Sequence, residues 1–290
     1  MDTSARAWTD ILWRVYARIM ECRVLAVAAG ATFYVLLAIF PAIAALIAIY
    51  GLFADPATIA GHLDAISGFV PGGAIEVVRD QMNRVASQGP GKLGLTFAVG
   101  LAVSLWSANA GIKALFDALN VVYGEKEKRG LVRLNLVSLL LTLAAIVFLL
   151  LTLGLLAVVP VALQYVGLQQ TRWIVTIGRW PLLFVAVSLV LSVLYRFGPS
   201  RDEPRWRWTT WGNVCAALVW IAASLLFSWY AENFGSYNKT YGSLGAIIGF
   251  MIWIWLSMIV VLAGAAIDAE IEGRRSRDTS ATARRWGSAA

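Results

Sequence analysis

The chain has 290 residues, of which 59% are hydrophobic and 14% are charged, and its formal net charge is +7. Soluble globular domains are about 45–50% apolar and about 25% charged, so this composition excludes an ordinary soluble domain. The apolar residues form long runs instead of the short alternating segments of a transmembrane barrel, which predicts an all-α polytopic membrane protein.

Residues 1–23 predict a cytoplasmic amphipathic helix, with its helical part at residues 5–22. One face of this helix is apolar and the opposite face is mostly charged. The apolar face consists of Trp8, Ile11, Leu12, Val15, Ile19 and Cys22. Such a helix suits the membrane surface, and packing against cytoplasmic segments of the bundle is an equal alternative.

Residues 24–271 contain six apolar runs, which predict a single domain of six transmembrane helices. The predicted spans are 24–53, 93–123, 134–159, 174–195, 209–230 and 242–267. Pro41 predicts a kink in span one, and Pro160 is expected to close span three. Residues 56–88 predict two short extracytoplasmic cap helices, and residues 272–290 predict a disordered cytoplasmic tail.

The distribution of basic residues predicts the orientation. Seventeen of the 24 lysines and arginines lie before span one, after spans two and four, and in the tail, whereas the opposite loops hold six. The positive-inside rule therefore places both termini in the cytoplasm. The same rule accounts for the basic net charge, so nucleic acid is not an expected partner.

Span two carries the most unusual pattern in the chain. At about 100° per residue, four polar residues fall within roughly 80° of one helical face: Asn109, Lys113, Asp117 and Asn120. Trp106 projects from the same face. A charge near the bilayer centre costs at least ~2.5–3.5 kcal/mol, so this stripe predicts a polar path through the bundle. The alternative is that Lys113, about 30 Å along the helix from Leu93, snorkels to the cytoplasmic surface.

Span six combines small residues with acids. Gly242, Gly245 and Gly249 share a face that would let another helix of this chain, or of a second copy, approach closely. Asp268, Glu270 and Glu272 end the span, where negative charge opposes the helix dipole, so lysines or arginines of the cytoplasmic loops are expected partners. With one histidine and two separated cysteines, no metal site or cofactor is predicted.

Three stretches carry a resemblance to a known family. They are AAGATFYVLLAIFPAIAAL in span one, LGLTFAVGLAVSLWSANAGIKALFDALNVVYGEKEKRG in span two and YGSLGAIIGFMIWIWLSMIVVLAGAAIDAEIE in span six. They resemble the YihY/virulence factor BrkB family of bacterial inner-membrane proteins. The resemblance implies six helices in the inner (plasma) membrane. This chain departs from the family where span six ends, with Gly264-Ala265-Ala266 in place of a GAE-type sequence.

The resemblance does not supply a reaction. The family has carried the label ribonuclease BN. Phosphodiester hydrolysis of that kind would require metal ligands in a soluble domain, and the sequence of this chain does not supply them. No enzyme is therefore predicted. The leading hypothesis is a transporter of an unidentified solute, lipid or ion along span two. The alternatives are a membrane scaffold or envelope-integrity factor without transport and, more weakly, a lipid-handling role. Expected partners are the bilayer, the unknown solute or lipid, and a possible second copy.

Overall fold

The computed structural model describes residues 5–50, 95–165, 172–201, 210–234 and 243–287, and every regular element in these ranges is an α-helix. There are seven helices within them: α1 (Ala5–Glu21), α2 (Val24–Tyr50), α3 (Leu95–Tyr123), α4 (Leu131–Tyr165), α5 (Arg172–Phe197), α6 (Trp211–Phe234) and α7 (Ser243–Gly287). The predicted cap helices at 56–88 and Gly242 lie outside the described residues.

Five of the described helices contain a segment long and apolar enough to cross a membrane: Ala98–Tyr123, Leu131–Phe148, Trp180–Phe197, Trp211–Tyr230 and Ile248–Gly273. A sixth span results if Asp10–Glu21 and Val24–Ala38, which meet at a bend of 58°, count as one. The α2 helix carries no charged residue from end to end. The all-α polytopic class predicted from composition is therefore confirmed.

Two details differ from the predicted boundaries. The prediction that Pro160 closes span three is wrong, because α4 continues to Tyr165. Membrane helices tolerate proline where neighbouring groups satisfy the freed carbonyl. The tail differs too, because α7 continues to Gly287 where a disordered segment was expected from residue 272. Residues 274–286 contain no glycine or proline, and five of them are arginine, which favours helix.

The bundle is organised around α3. It packs along α2 and also contacts α4 and α7, while α7 contacts α6, α2 and α1. The shared core is lined by small and aliphatic side chains, among them Val24, Leu119 and Leu262, which are completely buried. Pro41 lies inside α2 and is half-buried, and its role as a kink stays a prediction.

Several helices start or end at one end of the bundle, called the charged end below. It comprises the residues around the start of α2, the end of α3, the start of α4, the end of α5, the start of α6 and residues 268–272 of α7. The chain turns sharply there. Arg23 adopts a left-handed conformation with φ of 48° between α1 and α2, and Gly124 does so after α3 with φ of 69°. A glycine suits the second turn because it has no Cβ to clash.

Candidate functional site

The polar stripe of α3 divides into a buried edge and an outer edge. Asn109 is only 1% exposed and Asn120 is also buried. The Thr142 hydroxyl of α4 lies 3.5 Å from Asn109 Oδ1, a long contact, and donates a better hydrogen bond of 2.8 Å to the Ser138 carbonyl. Asn109 therefore faces α4 from inside the bundle.

Asn120 links α3 to two connecting segments at the charged end. Its Oδ1 accepts a hydrogen bond of 2.7 Å from the Ser200 amide, and its Nδ2 donates one of 3.1 Å to Glu127. Ser200 in turn accepts a bond of 3.1 Å from the Lys128 amide. A buried side chain with both donor and acceptor used fixes its surroundings, so Asn120 has a clear positioning role.

The outer edge of the stripe carries Trp106, Lys113 and Asp117. Trp106 and Asp117 are exposed and Lys113 is half-buried. The Lys113 ammonium lies 5.2 Å from the centre of the Trp106 ring. Within the described residues no ion pair joins Lys113 to Asp117, although they are one helical turn apart. The structure thus brings Lys113 to Trp106 and separates both from the buried asparagines.

Lys113 precedes the last residue of α3, Tyr123, by ten positions, which is about 15 Å at 1.5 Å per residue. The charged end extends part of this way along α3, because the Arg129 guanidinium lies 4.8 Å from the centre of the Phe116 ring. Helical side chains lean towards the helix N-terminus, and the ammonium accordingly approaches Trp106, seven residues earlier, away from the charged end.

The second polar cluster is the acidic turn, defined as Asp268, Glu270 and Glu272 of α7. Asp268 is buried and caps α6: its Oδ1 accepts a bond of 2.8 Å from the Gly212 amide and its Oδ2 one of 2.5 Å from the Thr210 hydroxyl. The Thr210 hydroxyl also accepts a bond of 3.2 Å from the Asn213 amide. These groups satisfy amides that the first turn of a helix leaves without an internal partner.

Glu270 points to the opposite side of α7 and pairs with α1. Arg18 Nη2 lies 2.6 Å from Glu270 Oε1, and Arg18 Nε donates to the same oxygen at 2.7 Å. Arg18 Nη1 donates a bond of 2.9 Å to the Val122 carbonyl near the end of α3. One guanidinium therefore joins α1, α3 and α7.

Glu272 pairs with the segment that follows α5. Arg201 Nη1 donates a bond of 2.6 Å to Glu272, and Nη2 donates one of 2.6 Å to the Tyr195 carbonyl. The guanidinium also lies 4.5 Å from the centre of the Tyr123 ring. The expectation that lysines or arginines of the cytoplasmic loops partner the acids of span six is confirmed for Glu272. Glu270 pairs with Arg18 of α1 instead, and Asp268 has a hydroxyl and an amide as partners.

The turn between α3 and α4 is held by Glu127 and Arg129. Two hydrogen bonds of 2.7 Å join the guanidinium to the carboxylate, which also accepts from Asn120. These bonds, led by that from the Arg129 side chain, lower the pKa of Glu127 from 4.5 to about 2. Arg129 also donates to the Phe197 and Gly198 carbonyls at 2.9 and 2.7 Å, so the turn is attached to the end of α5.

One tight helix approach in the described part of the chain involves glycines other than the predicted ones. A Cβ on Gly264 would lie 2.6 Å from the Ala216 Cβ and 2.8 Å from the Gly212 carbonyl oxygen. By contrast, a Cβ on Gly249 would meet only the tip of Phe227, at 3.9 Å. Gly245 lies in α7, and packing by the Gly242, Gly245 and Gly249 face stays a prediction. The α6 and α7 helices thus approach each other tightly at Gly212 and Gly264.

Some of these residues carried a visible signal in the sequence and others did not. The acidic turn was noticeable because its carboxylates were expected at a helix C-terminal end, where they are unfavourable, although α7 continues past them to Gly287. Asn213 gave no such signal, yet it is 1% exposed and donates to the Ser188 carbonyl and the Ser192 hydroxyl of α5 at 3.0 and 2.5 Å. Among the described residues, no group of three or more His, Cys, Asp or Glu side chains is arranged to hold a metal ion.

The helices and the charged end define a multi-pass α-helical membrane protein. The family model for virulence factor BrkB matches residues 15–288. The chain therefore belongs to the virulence factor BrkB family, as the resemblance of spans one, two and six indicates.

Curated relatives agree with this membership. The chain is 32% identical over 222 residues to the ribonuclease-like protein YfkH of Bacillus subtilis, covering 73% of this chain and 78% of YfkH. It is 28% identical to a UPF0761 membrane protein of Chromobacterium violaceum, covering 89% of this chain and 61% of the relative. A UPF0761 membrane protein of Methylibium petroleiphilum is 26% identical, with 90% and 62% covered. The chain thus spans about three fifths of the length of these two UPF0761 relatives. No solved structure matches the chain.

Proposed function

We propose that this membrane protein transports a polar solute, lipid or ion along the outer edge of α3, lined by Trp106, Lys113 and Asp117. The observation that carries the proposal is the Lys113 ammonium, which is directed away from the charged end and lies 5.2 Å from the centre of the Trp106 ring. An ammonium at the bilayer centre costs at least ~2.5–3.5 kcal/mol, whereas a cation–π contact returns about 0.5–2 kcal/mol. A further polar partner is needed, and a passing solute or water-filled groove would supply it.

The two buried asparagines have a different part in this proposal. Asn109 and Asn120 form the wall behind the path instead of contacting the solute directly. Asn120 also holds the turn between α3 and α4 through Glu127, so its loss would loosen the charged end. Direct contact with the solute is therefore assigned to Trp106, Lys113 and Asp117.

The acidic turn supports a conformational element in the same mechanism. Its three carboxylates join α7 to α1, to the start of α6 and to the segment after α5. Closing the path at the charged end requires these helices to stay together, and opening it requires some of these bonds to break. We therefore propose that the bonds of the acidic turn hold the path closed at the charged end.

The charged end is proposed to face the cytoplasm of a bacterial inner membrane. The support is the excess of lysine and arginine in the segments on that side. The test is labelling of Lys126→Cys and Lys239→Cys by a membrane-impermeant maleimide in a background of Cys22→Ala and Cys215→Ala. Labelling of Lys239→Cys in intact spheroplasts, with Lys126→Cys labelled only after lysis, is expected. The reverse pattern would invert the topology.

The transport proposal is tested by native mass spectrometry of the protein purified in mild detergent. Wild type should retain a small molecule or lipid that Lys113→Ala loses and Asp117→Asn weakens. The matched controls are Lys126→Ala and Asp10→Asn, which change the same residue types at exposed positions outside the path. If Lys113→Ala retains whatever wild type retains, and a strain carrying it at normal expression behaves as wild type, the site assignment fails.

Two other functions receive less support. A scaffold without transport would use the exposed edge at Trp106 as a binding surface for a helix of another protein. This function predicts a stoichiometric protein partner and no bound small molecule. A ribonuclease function is raised by the name of YfkH alone. Incubating the purified protein with labelled RNA tests it directly, and we expect the RNA to remain uncut.

A further inference from the structure

The α1 helix has three faces, of which the first is buried in the bundle. Around the helix axis, at about 100° per residue, Ile11, Ile19 and Cys22 lie within roughly 40° of Val15. Val15 is buried and the other three pack against the same core. This face attaches α1 to the protein at the charged end, where Arg18 adds its pair with Glu270.

The second face is apolar and uncovered. Leu12, Tyr16, Met20 and Trp13 follow at about 60° to 160° around the axis from Val15, and each is between 51% and 69% exposed. The rings of Trp13 and Tyr16 stack with their centres 5.7 Å apart. Four large apolar side chains in one continuous strip would be unfavourable in water, so this face needs a partner.

The third face is polar. Asp10, Glu21 and Arg14 lie at about 220° to 260°, and all three are exposed. Passing around α1, a core-facing side is therefore followed by an uncovered apolar side and then by a charged side. An apolar strip between protein and charge is the pattern expected at the edge of a bilayer, where protein, acyl chains and water meet around one helix.

We propose that α1 lies in the headgroup region of the leaflet at the charged end, with Leu12, Trp13, Tyr16 and Met20 against acyl chains and Asp10, Arg14 and Glu21 in water. The 58° bend between α1 and α2 supports this, because it turns α1 away from the axis of the span. Trp and Tyr are the side chains that concentrate at this depth of a membrane.

The charges on α1 specify what kind of lipid contact this is. The exposed Asp10 and Glu21 balance the exposed Arg14 and Arg23. Counted over the side chains that the structure describes, the water side of this segment has no net charge with which to select anionic headgroups, and its attachment rests on apolar burial. We expect it to be the same in zwitterionic and anionic vesicles and to be insensitive to salt.

This placement also distinguishes α1 from the first part of a span. If α1 and α2 crossed the membrane together, the charged side of α1 would enter the hydrocarbon with the apolar side. In the interfacial arrangement, neighbouring residues of α1 instead occupy different media. The pairs Trp13 and Arg14, and Met20 and Glu21, each step by about 100° from the apolar face to the charged face.

The experiment uses the full-length protein with Cys22→Ala and Cys215→Ala, reconstituted in phosphatidylcholine vesicles. Trp13→Cys and Arg14→Cys are each labelled with an environment-sensitive fluorophore, and Met20→Cys and Glu21→Cys form a second pair in case one variant fails to fold. The labels at positions 13 and 20 should emit at shorter wavelength and be quenched by nitroxide on lipid acyl chains. The labels at positions 14 and 21 should be quenched by aqueous iodide. Adding phosphatidylglycerol or salt should change neither result.

Three outcomes would overturn the proposal. Iodide quenching of all four labels would mean that α1 stands in water or under a mobile partner. Nitroxide quenching of all four would mean that α1 enters the hydrocarbon as part of a span. Protection from both quenchers at positions 13 and 20 would mean that another protein or a second copy covers the apolar face.

Discussion

Gly264→Ala tests the crossing of α6 and α7 with a single methyl group. The added Cβ would lie 2.5 Å from the Tyr195 hydroxyl oxygen, 2.6 Å from the Ala216 Cβ and 2.8 Å from the Gly212 carbonyl oxygen. The Tyr195 hydroxyl is the end of a long side chain and can move. The other two atoms belong to, or are attached directly to, the backbone of α6, so the helices must separate. Overpacking of this kind costs about 1–3 kcal/mol.

The control for this prediction is Gly249→Ala in the same helix. The new methyl group would have only an ordinary contact, with Phe227 at 3.9 Å, and alanine favours helix by about 1 kcal/mol over glycine. We therefore expect Gly249→Ala to be neutral or slightly stabilising. Since both variants gain the same helix propensity, the difference between them isolates the steric cost.

The assay is thermal unfolding in one detergent, followed by tryptophan fluorescence. With about 2–4 °C per kcal/mol, Gly264→Ala should melt roughly 2–12 °C below Gly249→Ala. It should also weaken the cap of α6, because Asp268 lies one turn after Gly264 and is bonded to the Gly212 amide. Equal melting temperatures for the two variants would refute the close approach of α6 and α7 at this point.

Three further predictions concern the charged end. Asp268→Ala should cost about 1–3 kcal/mol in the same assay, because it leaves the buried Gly212 amide unpaired, while Asp268→Asn should cost less since its side-chain oxygen can still accept. Arg18→Ala should lower the free energy of unfolding by about 1–3 kcal/mol, and the double variant Arg18→Ala/Glu270→Ala should lose less than the sum of the two single variants. Strictly additive losses would contradict the ion pair between Arg18 and Glu270. The pKa of Glu127 is lowered from 4.5 to about 2, so its stabilising contribution is fully present above pH 4.5 and is lost as the pH falls towards 2. The melting temperature of Glu127→Gln should therefore fall less than that of wild type between about pH 5 and pH 3. Equal decreases for the two proteins would contradict the assignment of the lowered pKa to Glu127.

Much of the fold was accessible from the sequence because the signals are local. Long uncharged runs such as Val24–Tyr50 predict a helix whatever surrounds them, since every backbone group in a bilayer must be bonded internally. The boundaries were less accessible. Proline is a strong helix breaker in water, which is why span three was expected to end at Pro160, but α4 continues to Tyr165.

The candidate site was accessible only in part. The periodicity of α3 placed Asn109, Lys113, Asp117 and Asn120 on one face, but it could not indicate that a boundary between buried and exposed surface runs along that face. Periodicity fixes angles around one helix, whereas burial depends on where α2 and α4 lie beside it. For the same reason the sequence predicted close helix packing at the pattern Gly245-xxx-Gly249, which lies within one helix. The tight approach seen in the structure involves Gly264 and Gly212, which lie on two different helices.

The sequence by itself determined the membrane class, the approximate spans and the membership of a family, since hydrophobicity and composition act residue by residue. Only the tertiary structure decided which groups the acidic turn contacts and how Lys113 is oriented. Arg18 and Glu270 are 252 positions apart, and nothing in either local sequence specifies the other. Their pairing exists because α1 and α3 end beside residues 268–272 of α7, a consequence of packing that becomes visible only when all the helices are assembled.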